Sequence, residues 1–113
     1  MYKIIITKTA EQDILASVLY IAHQSQNRKA AEDLYGAILA TINSLSTYPS
    51  RYPVVNDSVL AKHGFRIVPI KNYLVFYIVR EETQTIVVER FLYAKRNWVQ
   101  LLSRSNAQET FYE

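Results

Sequence analysis

The sequence predicts an α+β domain in which a helical hairpin packs on one face of a small, mostly antiparallel sheet. Two observations carry this prediction. Between Ile14 and Leu45, apolar residues recur every three or four positions, which is typical of amphipathic helices. From Gly64 onward the apolar period changes to two, which is typical of strands. Helices in one half of the chain and a meander of strands in the other give the order β-α-α-β-β-β-α.

The N-terminal half supplies one strand and both long helices. The β-branched run Lys3–Thr7 predicts the strand. Thr9 and Gln12 have capping-box spacing, so the first helix should begin at Thr9 and bury Ile14, Val18, Ile21 and Ala22. After a polar loop at 24–27, the second helix should end before Pro49. Its buried stripe is Ala30, Leu34, Ile38, Ile42 and Leu45.

The C-terminal half supplies three strands and a short helix. Residues 48–63 contain two prolines and little periodicity, which is typical of a loop. Alternation then predicts strands at Phe65–Ile70, Tyr73–Val79 and Thr85–Tyr93, with Lys71-Asn72 as a two-residue turn. A last helix over 94–103 would be anchored by Trp98, Leu101 and Leu102.

Composition limits the organisation and the chemistry of the chain. With 113 residues it can bury one core, which we place at 1–104, and residues 105–113 form a flexible tail. The absence of cysteine excludes disulfides, thiolate metal sites and a cysteine nucleophile, and it is typical of a reducing, cytoplasmic compartment. Two distant histidines predict no metal site, and no apolar run reaches the roughly 18 residues of a membrane span.

Basic residues are concentrated in one part of the chain. Residues 1–59 have as many acidic as basic side chains, whereas residues 60–104 have eight basic and three acidic ones. This asymmetry predicts an electropositive face whose partner is nucleic acid or an acidic protein segment.

The predicted turn at 71–72 fixes which strand residues share a face. It pairs Arg66 with Tyr77, and it pairs residues 68 and 70 with 75 and 73. One face is then wholly apolar and should pack under the helices; it holds Phe65, Ile67, Leu74, Phe76 and Ile78. The other should be partly open; it holds Arg66, Val68, Ile70, Tyr73, Val75 and Tyr77, joined under regular alternation by Val87, Glu89, Phe91 and Tyr93. Arg90 would then point toward the helices, unless it lies at a sheet edge or a bulge reverses it.

Cations among aromatic rings on an open face suit RNA, because phosphates bind the cations and unstacked bases stack on the rings. Arg66 is the strongest candidate, since a charge in the middle of a strand needs a reason. The tyrosines could equally cover a half-exposed sheet, and the cations Lys95 and Arg96 could serve solubility alone. His63 lies in a loop, where a solvated surface histidine is more typical than a catalytic one.

Several short motifs follow one another in order from Tyr2 to Leu102. They are Tyr2-Lys3-Ile4, Thr9-Ala10, Asp13-Ile14, Tyr20-Ile21-Ala22, Ala30 with Leu34, Leu45 with Pro49, Gly64-Phe65-Arg66, Asn72 to Tyr77, and Phe91 to Trp98. Their order and spacing resemble the RelE/ParE superfamily of bacterial toxins from toxin–antitoxin pairs. The resemblance implies the same element order and a cognate antitoxin whose C-terminal segment covers the basic face. It also implies that the chain reaches operator DNA only indirectly, through the antitoxin.

The resemblance implies one of three activities. We expect a ribosome-dependent endoribonuclease that cuts mRNA by attack of the 2′-hydroxyl on the phosphate, without a metal or cofactor. The alternatives are an inhibitor of DNA gyrase, and a toxin-fold protein of weak or lost activity that mainly binds its antitoxin.

The resemblance also assigns roles to individual residues. Arg66 matches a Gly-aromatic-Arg motif and would stabilise the phosphate in the transition state. Tyr93 stands where many relatives have histidine, and would act as acid or base, or stack on a base. A phenol needs nearby cations to act as a base, and Lys95 and Arg96 would supply them. The further RNA contacts are Lys62, Lys71, Tyr73, Tyr77 and Arg90. Because the usual histidine is absent and no glutamate is obviously placed at the end of the second helix, the gyrase interpretation stays open.

Overall fold

The computed structural model describes residues 1–55, 58–96, 98 and 101–102, and confirms the α+β class. Its helices are α1 (Lys8–His23), α2 (Arg28–Ser44) and α3 (Ser58–Lys62), and its strands are β1 (Lys3–Ile6), β2 (Arg66–Ile70), β3 (Tyr73–Arg80) and β4 (Thr85–Tyr93). The strands form one sheet in the order β1-β4-β3-β2, in which β1 is parallel to β4 and the other pairs are antiparallel. Within the described part, no helix is long and apolar enough to cross a membrane.

The two long helices begin at side-chain caps. Thr7, rather than the predicted Thr9, caps α1, because its hydroxyl oxygen accepts the N–H of Ala10 at 3.0 Å. The same hydroxyl donates to the carbonyl of Glu89 at 3.0 Å, which ties the start of α1 to β4. Asn27 caps α2 in the same way through the N–H of Ala30. The predicted stripe of α2 is confirmed at Leu34, Ile38, Ile42 and Leu45, which are all buried, whereas Ala30 is half-buried and its neighbour Ala31 is buried instead.

The helical hairpin covers the opposite sheet face to the one predicted. Val68, Val75 and Tyr77 pack with the stripe of α2 in a first cluster. The wholly apolar face, which contains Phe65 and Phe76, instead packs in a second cluster on the other side of the sheet. This second cluster also includes Val55, Leu60, Leu92, Trp98 and Leu102. Because both faces are covered, the wholly apolar composition of one face did not identify the side on which the helices pack.

The last predicted helix is only partly described. Trp98, Leu101 and Leu102 have helical backbone and pack in the second cluster, as predicted. Residues 94–96 form a turn rather than helix, and residues 97, 99–100 and 103–113, including the predicted tail, lie outside the described residues.

A β-bulge in β4 changes which residues share a face. The predicted pairing of Arg66 with Tyr77 is confirmed. Between β3 and β4, Phe76 pairs with Arg90 but Tyr77 pairs with Val88, so Glu89 is an extra residue. Phe91 and Tyr93 therefore share the face of Arg66, as predicted. Val87 does not, since it pairs with Ile78 of the second-cluster face.

Candidate functional site

The predicted catalytic residues separate to opposite ends of one sheet face. Arg66 pairs with Tyr77, whereas Tyr93 pairs with Tyr73, four residues away along β3. Four residues of strand span about 13 Å. Arg66 and Tyr93 also lie on strands that flank β3, which adds about 10 Å across the sheet. Both residues share a face, as predicted, but this face lies under the helical hairpin and the two residues do not meet in one centre.

At the Arg66 end, the two polar side chains of the face hold a neighbouring segment. A guanidinium N–H of Arg66 donates to the carbonyl of Tyr52 at 2.6 Å, and the hydroxyl of Tyr77 donates to the carbonyl of Pro49 at 2.7 Å. Together they fasten the segment 49–52 to the sheet. Lys62 is exposed at the C-terminal end of α3, shortly before β2 begins.

The placement of Tyr77 on an open RNA-binding face is wrong. Its side chain is fully buried in the first cluster, so no base can stack on the ring. Burial raises the pKa of the Tyr77 phenol, and the nearby charge of Arg66 offsets part of this increase.

The raised pKa of Tyr77 predicts a loss of stability in alkali. In the unfolded chain a tyrosine ionises at about pH 10, whereas the buried phenol resists ionisation, so its stabilising contribution is present below about pH 10 and lost as the pH rises further. Tyr77→Phe should cost about 1 kcal/mol at neutral pH through the lost hydrogen bond. Its free energy of unfolding should then fall less steeply above pH 10, as measured by urea unfolding. The exposed Tyr48→Phe is the matched control, and equal slopes for Tyr77→Phe and the wild type would contradict the argument.

At the other end of the face lies an open cleft of about 650 Å³, here called the tyrosine cleft. Its helical wall comes from α1 and includes Ser17 and Tyr20, and its sheet wall includes Tyr73, Phe91 and Tyr93. The ring of Tyr73 stacks on Phe91 with centroids 4.9 Å apart and meets the ring of Tyr93 edge-on at 5.6 Å. Tyr20 is 62% exposed and Tyr93 is 39% exposed, so both rings are accessible.

Three cations lie at this same end of the sheet. Arg96 lines the tyrosine cleft, and Lys95 precedes it in the exposed turn after β4. The N–H of Ala94 donates to the carbonyl of Asn72 at 2.9 Å, which places the exposed Lys71 of the β2–β3 turn beside them. The structure thus brings Lys71, Tyr73, Tyr93, Lys95 and Arg96 together, and leaves Arg66, Lys62 and Tyr77 at the far end.

Arg90 faces α1 rather than an open surface. Arg90 follows the last residue of β4 that pairs with β1, which is Val88. The Arg90 guanidinium donates two hydrogen bonds to the carboxylate of Asp13, from Nε at 2.7 Å and from Nη2 at 3.1 Å. The same carboxylate accepts the N–H of Phe91 at 3.1 Å. Both side chains are largely buried, at 12% and 16% exposure, so the predicted contact of Arg90 with RNA has no accessible guanidinium to make it.

A second, apolar groove of about 470 Å³ lies between β1, α1 and α2. We call it the apolar groove, and it is lined mainly by Ile6, Leu15, Val18, Tyr35 and Leu39. Leu15 is 58% and Leu39 40% exposed, which is unusual for large aliphatic side chains that share one groove. Sequence analysis missed this surface, although apolar residues outside the predicted stripes, such as Leu15 and Leu39, were its signal.

Neither surface is suited to a resident metal ion. Among the described residues, no group of three or more histidine, aspartate and glutamate side chains could hold one.

The chain is similar to a toxin family in sequence pattern and to chains of two toxin–antitoxin systems in fold. The family model of the ParE toxin of the type II toxin–antitoxin system parDE matches residues 4–98. A chain of the chromosomal ParDE system from P. aeruginosa superposes with a TM-score of 0.65 at 15% identity, over 84% of this chain and 98% of that one. A chain of the toxin–antitoxin complex RelBE2 from Mycobacterium tuberculosis superposes with a TM-score of 0.51 at 20% identity, over 83% and 93%. A search of curated proteins found no significant match.

Proposed function

Because the chain belongs to the ParE toxin family of type II toxin–antitoxin systems, we propose that it acts by binding its target and that this target is DNA gyrase. The separation of Arg66 from Tyr93 carries the proposal. Cleavage by a 2′-hydroxyl needs the cation that stabilises the phosphate and the groups that transfer protons within hydrogen-bond reach of the same phosphodiester, about 3 Å. Strand register separates the backbone positions of these two residues by about 13 Å along the strands and about 10 Å across the sheet. The Arg66 guanidinium is moreover held at the carbonyl of Tyr52, which favours inhibition by binding over the nuclease centre expected from the sequence.

The engaged state of Arg66 supports the same proposal. Its guanidinium already donates to the carbonyl of Tyr52, and its strand neighbour Tyr77 is sealed in the first cluster. The hydrogen bond to a neighbouring segment is a structural reason for an arginine at this position of the strand. The presence of Arg66 there therefore does not require that it bind a phosphate.

The proposed antitoxin contact is the apolar groove. Its aliphatic lining is suited to the apolar stripe of an amphipathic helix or an extended segment, which would bury Leu15 and Leu39. An antitoxin that also binds operator DNA would bring this chain to DNA indirectly. If gyrase is the target, the chain acts in the cytoplasm, where gyrase works.

Gyrase and ribosome assays run side by side test the proposed target. The purified chain should inhibit supercoiling of relaxed plasmid by gyrase, and should leave the 5′ ends of mRNA unchanged in a translating extract. Premixing with the cognate antitoxin is the control and should restore supercoiling. Cuts in mRNA with gyrase unaffected would contradict the proposal, and no effect in either assay would indicate a toxin fold that has lost its activity.

Ribosome-dependent mRNA cleavage is the second candidate, and the shared position of Tyr93 and Arg96 in the tyrosine cleft favours it. Tyr93 would take the 2′-hydroxyl proton or protonate the leaving 5′-oxygen, while Arg96 and Lys95 would stabilise the charged phosphorane. Tyr93→Phe keeps the ring but removes the transferable proton. If the chain cleaves mRNA, the Tyr93→Phe variant should no longer cut it. If the chain inhibits gyrase by binding, the variant should inhibit supercoiling as the wild type does, because no proton transfer is involved.

A further inference from the structure

The segment that follows α2 is held against the β2 edge of the sheet. The carbonyl of Pro49 accepts the hydroxyl of Tyr77 at 2.7 Å. The carbonyl of Tyr52 accepts a guanidinium N–H of Arg66 at 2.6 Å, and Val54 forms a β-bridge with the backbone of Arg66. Because the segment is fixed at three points, little conformational entropy remains to be lost when a partner binds to it.

This held segment presents an arginine beside two tyrosine rings. The Cζ of Arg51 lies 5.7 Å from the ring centroid of Tyr48 and 5.9 Å from that of Tyr52. Both distances fall within the range of a cation–π contact, about 6 Å. We call these three residues the arginine–tyrosine surface. Tyr48 is 58% exposed and Arg51 is exposed, so a partner can reach both side chains.

The charge of Arg51 has no anionic partner in the part of the chain that the structure describes, since no carboxylate there forms an ion pair with it. Burial raises the pKa of the Tyr77 phenol, and the charges of Arg66 and Arg51 both offset part of this increase, so the two cations lie at the same end of the molecule. A guanidinium that rings hold in place is suited to a carboxylate from another molecule, which can accept two parallel N–H groups.

The composition of this surface favours a protein partner over a nucleic acid. Tyrosine and arginine are enriched among the residues that contribute most binding energy at protein interfaces. A nucleic acid instead requires several cations that neutralise successive phosphates. Here the chain neighbours of Arg51, Ser50 and Tyr52, are uncharged. The nearby Arg66 is already engaged with a carbonyl.

We propose that the arginine–tyrosine surface is where this chain contacts its target protein, and that Arg51 pairs there with an aspartate or glutamate of the target. The proposal rests on the proposed binding of gyrase and adds which part of the chain binds it. This surface adjoins β2 and the apolar groove adjoins β1, so they lie at opposite edges of the sheet, whose outer strands are about 14 Å apart. Target and antitoxin therefore meet different side chains, and a bound antitoxin excludes gyrase by its bulk.

Binding of the full chain to gyrase in the absence of DNA tests this contact, together with the supercoiling assay. Arg51→Ala should weaken binding and inhibition about tenfold, because the carboxylate pair and the ring contacts are lost together. Arg51→Lys keeps the charge but not the planar fork, so it should recover only part of the loss. Tyr48→Leu should weaken binding several-fold, whereas Tyr48→Phe keeps the ring and should bind like the wild type.

Arg28→Ala is the matched control for Arg51→Ala. Arg28 is an exposed arginine at the start of α2 and lies outside the arginine–tyrosine surface, so its loss should leave gyrase binding unchanged. Rising salt should weaken gyrase binding by the wild type and by Arg28→Ala more than binding by Arg51→Ala. Every variant should bind the cognate antitoxin as tightly as the wild type, which checks that it is folded.

Four results would overturn the proposal. If the wild type inhibits gyrase and Arg51→Ala inhibits it equally, the contact lies elsewhere while the proposed target stands. Binding that requires DNA and is lost in Arg51→Ala would assign the guanidinium to a phosphate. Loss of antitoxin binding in Arg51→Ala, with gyrase binding unchanged, would assign this surface to the antitoxin. If the wild type neither binds nor inhibits gyrase, the proposed function itself fails, and this assignment fails with it.

Discussion

Replacement of Phe76 by alanine is expected to lower the free energy of unfolding by about 3–5 kcal/mol. The Phe76 ring is fully buried in the second cluster, on the sheet face away from the helical hairpin. It lies 5.4 Å from the ring of Trp98, which is the single tryptophan of the chain. Removal of the ring opens a cavity beside the indole, so the native tryptophan emission should also change. Urea unfolding followed by fluorescence measures both effects.

Leu34→Ala is the matched control for this second cluster. Leu34 is as buried as Phe76 but belongs to the first cluster, under the hairpin. Its replacement should cost about 2–5 kcal/mol while the native emission of Trp98 stays as in the wild type. Equal changes of emission in both variants, or a loss below about 1 kcal/mol for Phe76→Ala, would contradict a second core on this face.

Asp13→Ala is expected to lower the free energy of unfolding by about 2–4 kcal/mol. This is near the lower end of the range for breaking a buried ion pair, because the side chains of Asp13 and Arg90 both keep some exposure. The substitution removes the acceptor of Arg90 and of the N–H of Phe91 at once. A charge-free pair, Asp13→Leu with Arg90→Met, should recover part of this loss, since it leaves no charge behind. Thermal unfolding of the single and double variants measures both changes.

Asp33→Ala is the surface comparison for Asp13→Ala. Asp33 pairs with Lys29 one helical turn away, and both side chains are well exposed, at 52% and 83%. Its loss should change stability by less than about 0.5 kcal/mol. If the two aspartate variants unfold alike, the Asp13 carboxylate does not hold α1 to β4.

Local patterns predicted the parts of the fold that depend on local geometry. The turn at Lys71-Asn72 fixed the pairing of Arg66 with Tyr77, because a two-residue turn leaves one register. The stripe of α2 followed from helical periodicity alone. The cap of α1 was placed two residues late, since Thr7 and Thr9 both lie near the helix start and only the folded backbone brings Thr7 within reach of Ala10.

Properties set by long-range packing were not predictable in the same way. Strand alternation divides residues between two faces but does not say which face the helices cover. The charge of Arg66 predicts an open face, because a buried charge needs a partner. In the structure that partner is the backbone carbonyl of Tyr52, in the segment before α3. The bulge at Glu89 is one of two arrangements that strand alternation allows for Arg90, and no neighbouring residue in the sequence marks its position.

The candidate site was predicted only on its sheet side. Tyr93, Lys95 and Arg96 are neighbours in sequence, so their proximity needed no fold. The helical wall of the tyrosine cleft depends on how α1 crosses the end of β4, and Asp13 and Tyr20 were therefore missed as site residues, although both lie in motifs that carried the resemblance. The distance between Arg66 and Tyr93 follows from the register of β4 against β3, which the longer connection after Arg80 does not fix.

The parallel pairing of β1 with β4 has a consequence for synthesis. The first strand joins the sheet through partners at Thr85–Val88, and the hydrogen bond from Thr7 to Glu89 spans 82 positions of the chain. On the ribosome, this strand has no partner strand until residues 85–88 have emerged from the exit tunnel. Such distant closure slows folding, because the entropy of a long loop must be lost first. The nascent chain therefore completes its sheet only after β4 has left the ribosome.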